Sequence, residues 1–477
     1  MNKKIYIYLF AMFAILQSCN REDLLVKEPT ETISTPAIEQ KVNGMFALML
    51  KDGTGGTTRH EDFGQKGIDI FTDMLESDVA LSRNAYNRYA SLANYSGILD
   101  YTSNFNYIPW RYYYRVIYSA NDVINDFGGN DNPDFSKGSK ALFAQALAMR
   151  GYAYFYLLQL YTKEYAPTEK GVPIVTSILQ TKSEMKKQSE VYDQILSDLT
   201  RAETMLEGYD RNNKIKFNQD VVRGLLAYTY AAMNNPAKAQ EYSQKIIASG
   251  NYPITTASQL TGGFNNLVTP SWIWGADITT DMGFDLISWW GQMDYFTYSY
   301  QSVGDYKTID NNLRLSIAAN DIRKNQFQQI VNGYWFGSGK FYAPARVKQG
   351  QRQIETDYIF MRVDEFYLLK AESLAKQGDA FLPQAKQALK DLLQNRISDL
   401  SFIDSITNSK DLLKEIYLQT RIEFWGEGKS YLAMKRNHMN VVRGQNHDAF
   451  KGLDILSTDE KLTFKIPSAE VINNPNL

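Results

Sequence analysis

Cysteine is almost missing from this chain: Cys19 is the only one in 477 residues. A lone thiol excludes an internal disulfide framework, a Cys-x-x-Cys redox pair and a zinc–thiolate cluster. Histidine is nearly as scarce, with His60, His438 and His447 scattered and no His-Glu-x-x-His spacing. No Gly-x-Ser-x-Gly elbow occurs. The glycine-rich Gly333–Lys340 segment is no phosphate loop, since Phe341 stands where a magnesium-binding hydroxyl belongs. Excess charge of one sign is lacking too. The 51 basic and 53 acidic residues leave a formal net charge of −2, which argues against a nucleic-acid partner. Paired carboxylates remote in sequence escape any spacing argument, but catalysis has no positive support. The expectation is a binding protein with no catalytic residues and no enzymatic activity.

The position of the single thiol carries information. Met1–Lys4 is a basic start, and Ile5–Leu16 is an unbroken apolar and aromatic run. That run is well short of the ~20 residues a membrane span needs, and fits the apolar core of a signal peptide. Leu16-Gln17-Ser18-Cys19 resembles the bacterial lipobox, whose cysteine is lipidated and becomes the first mature residue. Residues 1–18 are therefore expected to be a lipoprotein signal peptide, with Cys19 as the lipidation site. Two or more acyl chains anchor lastingly, since each buried methylene contributes about 0.8 kcal/mol. Glu22 and Asp23 fit either a surface-export signal or a solvated tether. No later apolar run is long enough to span a bilayer.

The body of the chain reads as helices. Ser139–Tyr161 is rich in Ala, Leu and aromatics, lacks proline, and is closed by Pro167, Gly171 and Pro173. Apolar residues from Val191 to Leu206 recur every three or four positions. Further helices are expected at Asn218–Met233, Ala237–Ser249, Asp364–Gln377 and Pro383–Asn395, and over Asp411–Lys435 with a break near Gly426 and Gly428. Helix, short turn, helix, repeated, is the signature of an array. Leu226-Ala227-x-x-Tyr230 followed by Ala239, and Gly151-x-x-Tyr154, match degenerate tetratricopeptide spacing, with small residues where helices approach closely. Between Tyr252 and Tyr358, and from Lys51 to Trp110, glycines and isolated aromatics replace helical periodicity. These stretches are expected to be long loops with short strands, too aromatic to be disordered.

Several segments, in order, resemble the SusD-like (RagB/SusD) family of outer-membrane nutrient-binding lipoproteins of Bacteroidota. They are the lipobox with Glu28-Pro29-Thr30, Trp110–Asn121, Ala146–Phe155, Gly171–Val175, Phe360–Glu372, Thr420–Tyr431, Phe464–Glu470 and Asn474–Leu477. Leu432–Arg436 departs from the family by lacking an acidic residue there, and the stop at Leu477 comes a few residues early. The resemblance implies a mostly α fold of tetratricopeptide-like hairpins with a loop-rich capping region. It makes residues 19–477 a single domain: 19–250 with the first helices, 251–358 capping, 359–477 with the last helices and tail. It also implies a lipid-anchored outer-membrane location facing the exterior, and a SusC-like TonB-dependent transporter as partner. Glycan would be captured and handed over; the alternatives are a peptide or other nutrient cargo, or a lid without glycan specificity of its own.

A pyranose presents one face of C–H bonds and a rim of hydroxyls, which suits an aromatic platform edged by polar side chains. The loop aromatics Trp289, Trp290, Tyr295, Tyr298 and Tyr300, near Gln292 and Asp294, are the first candidate. Tyr95 and Tyr101, with Asn104 for the rim, form the second, at a place where the resemblance puts glycan contacts. Trp272 and Trp274 alternate like strand residues and are expected to pack. No cofactor or metal is expected; Asp277, Asp281 and Asp285 recur in the capping region as a conceivable calcium set, and as solvated acids they need no ion.

Overall fold

The computed structural model describes residues 37–180, 183–350 and 352–477. Cys19 and the expected signal peptide lie outside the described residues. The first helices are α1 (Ile38–Ala47), α2 (Gln65–Glu76), α3 (Asn104–Asp126), α4 (Lys140–Tyr161) and α5 (Gln188–Met205). They are followed by α6 (Gln219–Ala232) and α7 (Pro236–Ala248), the short capping helices α8 (Trp289–Met293) and α9 (Tyr300–Val303), and then α10 (Asp364–Lys376), α11 (Leu382–Leu393), α12 (Ser409–Glu423) and α13 (Ser430–Arg436). Their ends follow local chemistry. The Ser139 hydroxyl accepts from Leu142 N–H at 3.4 Å and Asn218 Oδ1 from Val221 N–H at 3.0 Å, each capping its own helix. Asn234 takes a left-handed φ of 53°, and Asn235-Pro236 then starts α7.

Helix α4 is apolar all round, so it is central rather than peripheral, packed between α3 and α5. Gly151 is where α4 and α5 meet: a Cβ there would stand 2.9 Å from Leu199 Cγ, which explains the small residue read from the sequence. Arg150, buried between the helices, donates to both carboxylate oxygens of Asp198 at 2.8 and 2.7 Å and to Asn121 Oδ1 at 2.8 Å. The hairpins α6–α7 and α10–α11 continue the array, with α7 packed on α10 and α12 on α10. Residues Ile38–Leu477 cluster as one compact unit. Among the described residues, no helix is long and apolar enough to cross a membrane.

The strands form isolated antiparallel ribbons: β1 (Val79–Asn84), β2 (Trp272–Ala276), β3 (Asp305–Ile309), β4 (Gln328–Val331), β5 (Tyr334–Phe336) and β6 (Tyr358–Arg362). Strand β1 pairs with β3, β2 with β6, and β4 with β5. Trp272 and Trp274 are buried on β2, as their alternation suggested, and Trp274 Nε1 donates to Ile215 O at 2.7 Å. Two ribbons thus tie loop segments far apart in sequence to each other.

Lys435, near the end of α13, is buried and donates to the carbonyls of Gln159 and Thr162 at the end of α4. Burial pushes its ammonium down to about 7, opposed only by Glu164. The unfolded lysine keeps its proton to about 10.5, so between these values the unfolded chain binds more protons and stability rises with pH. Urea titrations at a series of pH values through this window should show native stability rising more steeply than in Lys435→Met, by up to about 1.4 kcal/mol per pH unit. Parallel curves would show that Lys435 stays charged.

Candidate binding site

The loop before α2 is stiffened from within. Asp62 accepts from Gly55 N–H at 2.7 Å, and from Thr57 N–H and hydroxyl at 3.0 and 2.9 Å. A Cβ on Gly55 would meet Ile108 at 2.7 Å, so the loop lies tight against α3. This fixes His60, whose Nδ1 lies 2.7 Å from the Tyr300 hydroxyl. Burial, with Arg88 nearby, holds His60 below its usual range against the pull of Asp285. The ring is therefore neutral at pH 7, with one donor and one acceptor nitrogen. Burial raises the Tyr300 phenol, which stays protonated.

Tyr300 opens α9, whose start is set by reciprocal Ser299 and Ser302 hydrogen bonds. Beside it comes the turn after β1. A bulge between Leu81 and Arg83 twists the β1–β3 ribbon, and Asp305 accepts from Tyr86 N–H at 2.7 Å. Asn87, with φ of 58°, then turns the chain. The outcome is a surface on which Tyr86, 52% exposed, meets Tyr300 edge to face at 5.4 Å, while the Arg88 guanidinium lies 5.0 Å above the Tyr300 ring. Asn84 Oδ1 and Arg88 Nε are buried here without a hydrogen-bond partner. An exposed ring edged by Asn, Arg and His is the chemistry that a sugar face with its hydroxyl rim requires.

This differs from the sequence expectation in its residues. Trp289 and Trp290 are each 1% exposed, packed on one another at 4.9 Å, and Trp289 lies 4.6 Å from Phe341. A stacking platform needs an open ring face, so these two pin α8 to the core instead. Tyr295 is likewise buried, against Phe336. Tyr95 is fully buried, with Arg443 4.2 Å above its ring. Tyr298 is half-buried, with Arg352 4.7 Å above it. Tyr101, 58% exposed, and Asn104 stand open near the start of α3, and neither makes a ring contact or hydrogen bond with Tyr86 or Tyr300 among the described residues. Of the expected set, only Tyr300 lies at this surface, and at 5% exposure it supports Tyr86 from behind, so Tyr86 alone presents an open ring face there. Tyr86, Arg88 and His60 were not anticipated; the signal was Asn84-Ala-Tyr-Asn-Arg88, polar and aromatic residues inside a stretch already read as loop. Asp285 faces Arg352 at 3.4 Å, and no group of three acidic, His or Cys side chains placed for a metal ion occurs among the described residues.

Two family profiles match this chain in succession. Residues 26–231 match one described as starch-binding, associating with the outer membrane, and residues 281–476 match the SusD family proper. The chain belongs to the SusD family. Its fold agrees: a SusD-like carbohydrate-binding protein of Bacteroides vulgatus superposes with a TM-score of 0.77 at 25% identity, over 92% of this chain and 96% of the other. Surface glycan-binding protein A of Bacteroides thetaiotaomicron, solved with laminarihexaose, does so at 0.68 and 16% identity, over 92% and 98%, a likeness of fold. A SusD-like protein of Formosa agariphila is 24% identical over 216 residues. That match spans 43% of this chain and 38% of the relative's length. The mostly α, tetratricopeptide-like scaffold is thus that of a SusD-family protein, and the family associates with the outer membrane.

Proposed function

We propose that this SusD-family protein is a surface glycan binder without enzymatic activity, and that the Tyr86–Tyr300 surface with His60 and Arg88 is its contact site. The observation that carries this is an exposed tyrosine held edge to face on a second one beneath a guanidinium, on loops braced from behind. The laminarihexaose bound by a protein of the same fold supports a sugar ligand. In this reading Cys19 carries the lipid and a SusC-like TonB-dependent transporter receives the captured oligosaccharide. The domain is single, with the capping loops of 251–358 facing the nutrient.

Taking away one aromatic ring on which a sugar stacks costs about 1 kcal/mol or more, a factor of roughly five to ten. Tyr86→Ala is therefore expected to weaken binding by that factor in a titration against the glycan hit from a polysaccharide array, with the melting temperature unchanged. Trp289→Ala, by contrast, should lower stability. Wild-type affinity in Tyr86→Ala would refute the assignment, and a folded protein that binds peptides but no glycan would refute the function.

A further inference from the structure

Most buried or half-buried arginines among the described residues that make ion pairs are spent on inner carboxylates: Arg150 on Asp198, Arg323, Arg362 and Arg396 on Glu423, Arg421 on Asp78, and Arg436 on Glu372. Some of these also lie over rings, as Arg362 does on Phe424 and Arg421 on Tyr417, whereas on the capping face cations lie on rings mostly without a carboxylate. Arg83 sits 5.3 Å from the Tyr306 ring centre, Arg88 5.0 Å from Tyr300, and Arg314 4.6 Å from Trp335. Arg346 sits 4.7 Å from Phe296, Lys348 5.2 Å from Tyr295, and Arg352 4.7 Å from Tyr298. Of these six, only Arg352 has a carboxylate at ion-pair distance among the described residues, namely Asp285.

Three of the rings beneath them, those of Tyr306, Tyr295 and Phe296, belong to one connected layer. Tyr306 touches Tyr334 at 4.9 Å and Phe336 at 5.1 Å, Phe336 touches Tyr295 at 5.1 Å, and Tyr295 touches Phe296 at 6.0 Å. Strand β1 carries Arg83 straight into the turn that presents Tyr86 and Arg88, so this layer adjoins the contact site. A guanidinium lying over a ring keeps its N–H edge free, and that fork matches a planar carboxylate or a sulfate. Arg83, Arg346, Lys348 and Arg352 are exposed to solvent. Arg83, Arg88, Arg346 and Lys348 thus lack an ion-pair partner among the described residues, Arg346 sharing one donor with Gln328 Oε1 at 3.3 Å, while the carboxylates of Glu61 and Asp305 act on nearby Tyr300.

We propose that the glycan is anionic, its carboxylate or sulfate groups held by the ring-stacked cations Arg83, Arg88, Arg346 and Lys348 beside the open ring of Tyr86. This rests on the glycan-binding reading above and names its substrate class. A neutral glycan would offer those donors only uncharged hydroxyls, whose hydrogen bonds are roughly half as strong as those of a carboxylate or sulfate. The stacking also holds each guanidinium in place, lowering the entropy lost when an anion is gripped.

The test titrates the purified protein with polygalacturonate, a sulfated galactan, neutral laminarin and poly-L-glutamate. At least one anionic glycan is expected to bind at least tenfold tighter than laminarin. That advantage should shrink as ionic strength rises from about 0.02 M to about 0.5 M, where screening shortens to a few ångströms. Arg83→Gln with Arg346→Gln should cut the anionic-to-neutral affinity ratio by roughly tenfold, since each removes charge-assisted hydrogen bonds, with an unaltered melting temperature confirming the fold. The carboxylate and sulfate arms decide between the two anions. Equal affinity for laminarin and the anionic glycans overturns the charge inference and leaves glycan binding standing. Poly-L-glutamate binding as tightly as the best glycan overturns it in favour of an acidic peptide. Silence on every glycan overturns the glycan reading itself, and this inference with it.

Discussion

Replacing Glu423 by glutamine is expected to cost about 3–5 kcal/mol of stability, the usual penalty for breaking a buried ion pair by removing one partner. Glu423 ends α12 with no exposure, and three guanidiniums converge on it. Arg362 and Arg396 donate to Oε1 at 2.8 and 2.9 Å, and Arg323 to Oε2 at 3.1 Å. Burial alone would raise its carboxyl, but Arg396, Arg362 and Arg323 outweigh that and hold it well below the usual carboxylate range. Around them Asp364 takes Arg396 at 2.5 Å, Asp321 takes Arg323 at 2.6 Å, and Glu427 takes both Arg362 and Lys340 at 2.9 and 2.6 Å. Charge is balanced across the set, so taking one carboxylate away strands cations that have no water to turn to. The cluster joins β6, α10, α12 and the capping loop at Lys340, so the loss is global. Because whole domains are stable by only about 5–15 kcal/mol, a large share of the protein should be unfolded in mild urea. An unfolding free energy from urea titration within about 1 kcal/mol of wild type would show that the cluster relaxes freely.

The second large effect needs only one methyl group. Gly337→Ala is expected to cost about 3 kcal/mol, the upper end of ordinary overpacking. An added Cβ would stand 2.0 Å from Cζ3 of Trp425 and 2.6 Å from Cη2. Trp425 cannot swing away. It is 1% exposed, its indole N–H donates to Asp78 O at 2.9 Å, and Phe327 lies 5.3 Å from its ring. Nor does the glycine have room to move, since its carbonyl accepts from Lys340 and Phe341 N–H at 3.0 and 2.9 Å. The same Lys340 feeds the buried ion cluster. Trp425→Phe should relieve the clash, so the double variant is expected to be less destabilised than the sum of the singles. Additive costs in a double-mutant cycle would show that the strain is taken up elsewhere.

Much of the scaffold was legible because helices announce themselves locally. The spans starting at Ser139 and Asn218 were readable as helices from apolar spacing and breakers, and both residues prove to cap them, while Asn234-Asn235-Pro236 ends one helix and starts the next. Gly151 was readable as a close-approach residue, and Leu199 proved to be what approaches it. The contact surface was less legible. Trp289 and Trp290 look the same in a loop sequence whether the rings face solvent or core, since an amphipathic ring is at home in either place. Partners far away in the chain, such as Phe341 about fifty positions on and Lys66 on α2, decide that they are buried. Tyr86, between Ala85 and Asn87, carries no periodic signal.

By itself the sequence determined the fold class, the helical hairpins and the family. Each of these rests on residue type and short-range spacing, which act through local backbone preferences and apolar periodicity. The tertiary structure alone decided which rings are open, which arginines are paired, and that Glu423 collects three of them. Those outcomes depend on side chains brought together from β1, α9, β6 and α12 by long-range packing. Exposure and charge pairing are properties of that packing, which sequence spacing does not encode.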